Sequence, residues 1–145
     1  MNIKLKTWRD FDRLSRIELL LAAIGLIISI YLTVAHYTNI QVACPTSGVL
    51  NCDAVLSSQY AVLFGIPVAV LGLAFFLIYL ILTFLGMQIA RFVVTCFGIG
   101  FVMYFLYAEY MLGHICAYCS AVHIIVIALF IIFLYRFETD TTALP

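Results

Sequence analysis

The sequence predicts an all-α integral membrane protein: a bundle of four transmembrane helices with an outer loop that carries a short half-helix. Hydrophobic residues make up 66% of the 145 residues and charged residues only 10%, against roughly 45–50% and about 25% in ordinary globular chains. Four apolar stretches, near 17–37, 61–85, 89–112 and 115–135, each approach the roughly 20 residues that a helix needs to span a bilayer. They lack the alternating pattern of a membrane β-barrel. The formal net charge of +0 argues against nucleic-acid binding.

The breaks between the apolar stretches and the positive charges predict the topology of a single domain, 1–145. Gly86, Met87 and Gln88 indicate a tight turn, and Gly113 separates the last two stretches. All seven Lys and Arg residues fall on one side of the four-span arrangement: Lys4, Lys6, Arg9, Arg13, Arg16, Arg91 and Arg136. Such a side is cytoplasmic by the positive-inside rule. We therefore expect cytoplasmic termini, an outer loop over 38–60, and no cleaved signal peptide, since the first apolar core is too long for one.

A Cys-x-x-Cys pair begins the fourth stretch on the outer side, which is oxidising in a periplasm or an organelle lumen. Cys116 and Cys119 are one turn apart on a helix, and the dipole of a helix N-terminus favours a thiolate. His114 adds a possible positive charge nearby. A bridge across one turn closes too short a loop to add much stability. A redox role is therefore favoured over an inert clip.

A second pair, Cys44 and Cys52, encloses the outer-loop segment CPTSGVLNC, which predicts a turn and then a helix start at Asn51. The following DAVLSSQYAVLFGI is expected to form a half-helix on the membrane surface. Taken alone, this pair fits a structural staple and a redox pair equally well. The spacing is not that of a structural zinc site. The remaining cysteine, Cys96, is expected to be a small buried residue.

Two cysteine pairs on one side of a membrane bundle predict a thiol relay, because disulfide exchange passes electrons between pairs through mixed disulfides. The terminal acceptor of such a relay has to be lipid-soluble and take two electrons, and a quinone is the natural candidate. The sequence has no haem or iron–sulfur ligand pattern and no Gly-rich dinucleotide motif after a strand.

The motifs occur together as CPTSGVLNCDAVLSSQYAVLFGIPVAVLGL followed by CAYC. As a set they resemble the vitamin K epoxide reductase family over about 17–135, and GIPVAVLG is more similar to the bacterial homologues than to the animal enzymes. The resemblance implies a four-helix transmembrane bundle around a quinone pocket. It makes Cys116 and Cys119 the active-site pair, with Cys119 nearest the quinone. Cys44 and Cys52 become the shuttle pair: Cys44 exchanges with a partner protein and Cys52 with Cys116.

Two further residues enter through the same resemblance. Ser58 matches the family's serine and is expected to support the pocket or cap the half-helix, with a local hydrogen bond to the backbone as the alternative. His123 stands where animal enzymes carry a tyrosine, one turn beyond Cys119. It is a candidate to bind a quinone oxygen or deliver a proton, with a core histidine as the alternative. The departure puts vitamin K epoxide reduction in doubt more than quinone reduction.

The resemblance also implies partners and a location. Many bacterial relatives carry a fused thioredoxin-like domain, whereas only FETDTTALP follows Arg136 here. We therefore expect a separate secreted DsbA-like or thioredoxin-like partner, ubiquinone or menaquinone as acceptor, no metal, and an active site on the periplasmic side of the inner membrane. The predicted function is quinone-dependent disulfide formation. The alternatives are a vitamin K epoxide or quinone reductase in the animal-enzyme sense, a maturation factor for one client, and a non-catalytic protein with structural disulfides.

Overall fold

The structure, a computed structural model, describes residues 13–44 and 47–142. Within these ranges the helices are α1 (Arg13–Thr38), α2 (Cys52–Leu56), α3 (Val68–Leu85), α4 (Gln88–Leu112) and α5 (Ala117–Thr142). In this part of the chain α1, α3, α4 and the Ala117–Arg136 part of α5 are long and apolar enough to cross a membrane. The predicted all-α bundle with a short helix in its outer loop is confirmed. Lys4, Lys6 and Arg9, used above for the topology, lie outside the described residues.

Two of the long helices, α3 and α4, end directly before a glycine. α3 ends before Gly86, whose φ of 69° is the left-handed conformation that glycine adopts without a Cβ penalty. The N–H groups of Gly86 and Met87 donate to the carbonyls of Thr83 and Leu82, which closes the helix. Gly113 ends α4 in the same way with φ 65°. The predicted tight turn between the second and third spans is therefore present.

The second span is shorter than the apolar run suggests. We expect it to begin near residue 61, but α3 begins at Val68. Gln59–Ala61 form a 3-10 turn, and Val62–Leu63 pairs antiparallel with Ile66–Pro67. Gly65 at φ 80° closes this hairpin, and a proline favours extended backbone in the residue before it. The expected half-helix is thus only α2, followed by the 3-10 turn and the hairpin.

Small residues let the long helices approach closely, as is typical of helix packing in membranes. A Cβ at Gly25 of α1 would overlap the ring of Phe76 on α3, and one at Gly98 of α4 would overlap Phe75. The buried core between these helices and α5 consists of seven residues: Ala22, Phe76, Tyr79, Val102, Ile125, Val126 and Leu129.

Charged residues join α1, α4 and α5 at the end of the bundle where α1 begins. Arg91 Nη1 lies 3.0 Å from the Glu18 carboxylate, and Arg136 Nη1 lies 3.5 Å from the same oxygen. Arg136 also donates to the Ser15 hydroxyl at 2.7 Å. Glu18 and Arg91 are buried. Arg91 therefore lies inside the bundle as part of an ion cluster, just beyond the predicted turn.

The outward faces of the long helices carry large apolar side chains, as a lipid-facing surface requires. Ile27, Met103 and Ile131 are among the exposed ones. Cys96 is also exposed, beside Phe97 on the outward face of α4. The expectation that Cys96 is buried is wrong, because its position on α4 faces away from the bundle core.

Candidate active site

Both predicted cysteine pairs lie at the end of the bundle opposite the ion cluster. Cys44 and Cys52 form a disulfide with their Cα atoms 6.0 Å apart, whereas Cys116 and Cys119 are free thiols. Cys52 and Cys116 are fully buried and belong to one apolar cluster with neighbours from α1, α2 and the outer loop. Cys44 is only partly buried. One sulfur of the loop pair is therefore nearer solvent, and the other is packed with the Cys-x-x-Cys pair.

Backbone hydrogen bonds dock the outer loop onto the start of the fourth span. The Ile115 N–H donates to the Val49 carbonyl at 2.9 Å, and the Asn51 N–H donates to the Ile115 carbonyl at 3.1 Å. Leu50 and Ile115 thereby form a parallel bridge. Cys52 follows Leu50 by two residues and Cys116 follows Ile115 by one, so the bridge docks the segment of Cys52 against that of Cys116, and the two cysteines belong to the same buried cluster.

A tight turn and a capped helix place Cys52 within the loop. Ser47 and Leu50 exchange hydrogen bonds at 3.2 and 3.0 Å, with Gly48 between them at φ 59°. The Asn51 side chain then accepts the Ala54 N–H at 3.1 Å and caps α2. The predicted helix start at Asn51 is present, and the turn is present from Ser47 onward; Pro45 lies outside the described residues.

Cys116 occupies the cap position at the start of α5. Its sulfur accepts the Cys119 N–H at 3.3 Å, and its carbonyl accepts the Ser120 N–H at 2.9 Å. The hydrogen bond from the Cys119 thiol lowers the pKa of the Cys116 thiol, although burial and the nearby Glu109 carboxylate act against this shift. A thiol with a lowered pKa is more nucleophilic at neutral pH because more of it is thiolate.

Sequence reasoning missed Glu109, which contacts this pair from α4. Its carboxylate accepts the Cys116 N–H at 3.2 Å, and the residue is only 6% exposed. The available signal was the position of an ionisable residue inside an apolar span, which generally marks a functional group.

Sequence reasoning also missed two tyrosines that hold the loop before Cys44. The Ala43 N–H donates to the Tyr31 hydroxyl at 3.2 Å, and the Tyr118 hydroxyl donates to the Ala43 carbonyl at 2.8 Å. The two rings lie 5.5 Å apart between centroids. Tyr118 is one of the two residues inside the Cys-x-x-Cys motif, so the motif itself contacts the loop.

A cavity of about 330 Å³ lies within the bundle and is lined mainly by apolar and aromatic side chains, together with Cys119, His123 and Ser58. The Ser58 hydroxyl donates to the Val55 carbonyl at 2.7 Å, which is the local hydrogen bond expected as its alternative role. Further polar residues of the lining, not predicted from the sequence, are Ser29, His36 and Tyr60.

His123 provides a test of whether this cavity suits a quinone. The residue is 7% exposed, and its ring stacks on Phe105 at 5.8 Å between centroids. Its Nδ1 has no hydrogen-bond partner among the described residues. A buried nitrogen left without a partner fits a ligand oxygen, and the apolar walls fit a quinone ring and tail.

No group of three or more His, Cys, Asp or Glu side chains arranged to hold a metal ion occurs in the described part of the chain. The chemistry visible at this site is that of thiols, a carboxylate and an imidazole.

The fold and the site define a multi-pass integral membrane protein with two cysteine pairs gathered at one end. Residues 16–134 match the sequence profile of the Vitamin K epoxide reductase family. The chain belongs to this family and is a membrane oxidoreductase. The family is linked to quinones in general, in agreement with a mainly apolar cavity that reaches Cys119.

Proposed function

We propose that this protein is a quinone-dependent thiol–disulfide oxidoreductase that supports disulfide formation outside the cytoplasm. It would take electrons from a secreted thioredoxin-like or DsbA-like partner and pass them through its two cysteine pairs. The observation that carries this proposal is that Cys52 and Cys116 share one buried cluster, where the bridge between Leu50 and Ile115 docks their two segments.

The different burial of Cys44 and Cys52 supports an order for the steps. A partner thiolate attacks the sulfur of Cys44, the less buried residue of the pair, the Cys44–Cys52 bond breaks, and Cys52 leaves as a thiolate. The second partner thiol then releases the oxidised partner and a Cys44 thiol. These steps move two electrons and leave both loop sulfurs reduced.

The buried Cys52 thiolate next attacks Cys116 in a Cys116–Cys119 disulfide, forming a Cys52–Cys116 bond and releasing the Cys119 thiolate. Attack by Cys44 on Cys52 restores the loop disulfide and frees Cys116. The outcome is the arrangement in the structure, with Cys44 and Cys52 bonded and both Cys116 and Cys119 reduced.

The cavity would hold the acceptor against Cys119, with His123 Nδ1 available to an oxygen of its ring. A bound quinone supplies an acceptor for two electrons and two protons, which balances oxidation of the two thiols to a disulfide. Cys119 contributes the sulfur that lines the cavity, and the apolar walls exclude water.

The positive charges support an orientation for this proposal. Arg13 and Arg16 in the first turn of α1, and Arg91 and Arg136 in the ion cluster, lie at one end of the bundle, which the positive-inside rule favours as the cytoplasmic end. In the proposed orientation the cysteine pairs face the periplasm of the inner membrane, where a secreted partner would reach Cys44.

The first test is anaerobic, dithiol-driven reduction of short-chain ubiquinone and menaquinone analogues by the purified protein in detergent. Turnover with one of them is expected, and Cys119→Ala should abolish it. Cys96→Ala is the matched control, because Cys96 is exposed on α4 and should be dispensable. Absence of turnover in folded protein would favour a protein with static disulfides. Turnover that is retained in Cys119→Ala would show that Cys119 does not pass electrons to the quinone.

A second test separates the shuttle pair from the active-site pair. With a reduced thioredoxin-like protein as donor, Cys44→Ala and Cys52→Ala should each lose turnover. With dithiothreitol as donor they should retain it, since we expect a small dithiol to enter a site that excludes a protein donor and to reduce the Cys116–Cys119 disulfide without the loop pair. Full activity of both variants with the protein donor would make the loop disulfide a staple. Reduction of vitamin K epoxide in the same assay would favour the animal-type activity instead.

A further inference from the structure

Glu109 is a buried carboxylate in the apolar span α4, close to the proposed redox pair. It is 6% exposed, and one carboxylate oxygen accepts the Cys116 N–H at 3.2 Å. An ionisable side chain inside a membrane span is costly and is normally retained for function. The steps proposed above do not use Glu109, so its position requires a separate explanation.

The hydrogen bonds around Cys116 form a capping arrangement shared between two helices. In a capping box the cap side chain accepts the N–H three residues on, and a glutamate at that third position accepts the N–H of the cap residue. Here the Cys116 sulfur accepts the Cys119 N–H at 3.3 Å, and the carboxylate on the Cys116 N–H comes from α4. The Glu109 hydrogen bond therefore anchors the backbone N–H of Cys116 and does not involve the sulfur that takes part in disulfide exchange.

The carboxylate also influences the sulfur electrostatically. A negative charge close to a thiol disfavours the thiolate, whereas a hydrogen bond donated to the sulfur favours it. Glu109 and Cys119 thus act on Cys116 in opposite directions. Other titratable groups on the surrounding segments are Asp53 on α2, His36 on α1 and His114 in the connection to α5.

We propose that Glu109 is a positioning residue of the dithiol site, which anchors the Cys116 backbone through the redox cycle and holds a carboxylate next to the Cys116 thiol. This inference rests on the proposed function, because it assigns Glu109 to the pair that carries the electrons there. Its effect on exchange follows from the dependence of exchange rates on the thiolate fraction.

Two substitutions of Glu109 distinguish the effect of its hydrogen bond from the effect of its charge. Glu109→Gln keeps an oxygen to accept the Cys116 N–H but removes the charge. Glu109→Leu removes both the acceptor and the charge. Asp53→Asn is the matched control, because it makes the same chemical change in a carboxylate that accepts the Val42 N–H at 3.3 Å.

The measurement is the pH dependence of Cys116 alkylation by a small reagent, followed also by thiolate absorbance. It is made in protein carrying Cys44→Ser, Cys52→Ser, Cys96→Ser and Cys119→Ser, where the last change keeps a hydroxyl able to donate to the Cys116 sulfur. Glu109→Gln should move the midpoint to lower pH by on the order of one unit, since a repelling charge is lost. Asp53→Asn should move it much less.

Dithiol-driven quinone reduction by protein with all its cysteines tests the anchoring role. The rate of Glu109→Leu should be roughly tenfold below that of Glu109→Gln, because both variants lack the charge and only Glu109→Leu leaves the buried Cys116 N–H without its acceptor. Equal rates in the two variants would remove the anchoring role. An unchanged midpoint in Glu109→Gln, or equal shifts in Glu109→Gln and Asp53→Asn, would overturn the inference. If Glu109→Leu does not fold, the midpoint of Glu109→Gln alone decides. The pH midpoint of Cys116 alkylation is measured without quinone or partner protein. A negative result for Glu109 can therefore be distinguished from a failure of the proposed function.

Discussion

The imidazole of His123 lies in the wall of the cavity, one helical turn beyond Cys119 on α5. It stacks on Phe105, and its Nδ1 is buried without a hydrogen-bond partner among the described residues. A buried polar atom without a partner destabilises the folded state by about 1–3 kcal/mol. A ligand oxygen that accepts from or donates to this nitrogen would relieve that penalty only in the complex.

His123→Phe should therefore separate stability from catalysis. We expect the thermal midpoint in detergent to stay the same or rise, since an aromatic ring is retained and an unpartnered nitrogen is removed. The KM for the quinone analogue should rise by roughly tenfold, as the loss of one hydrogen bond to the ligand implies. Both quantities are measured on the same purified preparation.

His114→Phe is the matched control for this prediction. His114 Nδ1 also lacks a partner among the described residues, but His114 lies outside the cavity lining. Its substitution should leave the quinone KM unchanged. An unchanged KM in His123→Phe would make His123 a core histidine, which was the alternative reading of the sequence.

At the scale of elements, α1 and α5 together hold the segment that leads to Cys44. The Tyr31 hydroxyl accepts the N–H of Ala43, and the Tyr118 hydroxyl donates to its carbonyl. A second contact, from the Val42 N–H to the Asp53 carboxylate at 3.3 Å, fixes the same segment to α2. The loop disulfide is therefore presented by a backbone that three helices hold in place.

Tyr118→Phe should weaken the presentation of Cys44 and leave the inner chemistry unchanged. The variant keeps the ring contact with Tyr31 but loses the hydroxyl that donates to Ala43, a hydrogen bond worth about 1 kcal/mol. Turnover with a thioredoxin-like donor should fall several-fold, whereas turnover with dithiothreitol should stay constant. The ratio of the two rates is the measurement.

Tyr110→Phe provides the comparison for that ratio, because Tyr110 is 83% exposed on α4. It should not change the ratio. If Tyr118→Phe lowers both rates equally, Tyr118 acts on the Cys116 and Cys119 pair itself, and the proposed role in presenting the loop is wrong.

Element boundaries show where sequence reasoning reached its limit. The long spans were predictable because about 20 consecutive apolar residues have few alternatives to a membrane helix. The start of α3 at Val68 was not, because Val62–Leu63 and Ile66–Pro67 are as apolar as the helix that follows. Apolar content does not separate a short hairpin from a helix, and the deciding features were the turn at Gly65 and the position of Pro67.

At the scale of the whole molecule, the cysteines were identifiable from motif and spacing, but their supporting contacts were not. The pairs Glu109 with Cys116 and Tyr118 with Ala43 join residues whose contact depends on how the helices and the outer loop pack. The Glu18–Arg91 ion pair is similar: the sequence placed Arg91 near a turn, and only the bundle brings it to α1. The local pattern was enough to predict the long spans, whereas these contacts depend on the tertiary packing of distant segments.

The contribution of the ion cluster to the stability of the bundle can be measured independently of the redox site. Glu18→Leu removes the carboxylate that Arg91 and Arg136 both contact, and it leaves the buried Arg91 without this counter-charge. Breaking a buried ion pair by removing one partner typically destabilises by about 3–5 kcal/mol. We expect a loss of that order, measured as the free energy of unfolding by denaturant in mixed micelles.

The double variant Glu18→Leu with Arg91→Leu should recover most of the loss, because replacing a whole buried pair by apolar side chains is often close to neutral. Recovery should be incomplete, because Arg136 also loses its contact with Glu18 and keeps only its hydrogen bond to the Ser15 hydroxyl. A double-variant cycle gives the coupling between the two positions. Additive losses would mean that Glu18 and Arg91 are independent. Dithiol-driven quinone reduction should be retained by the double variant wherever it is folded, since the cluster and the cysteines occupy opposite ends of the bundle.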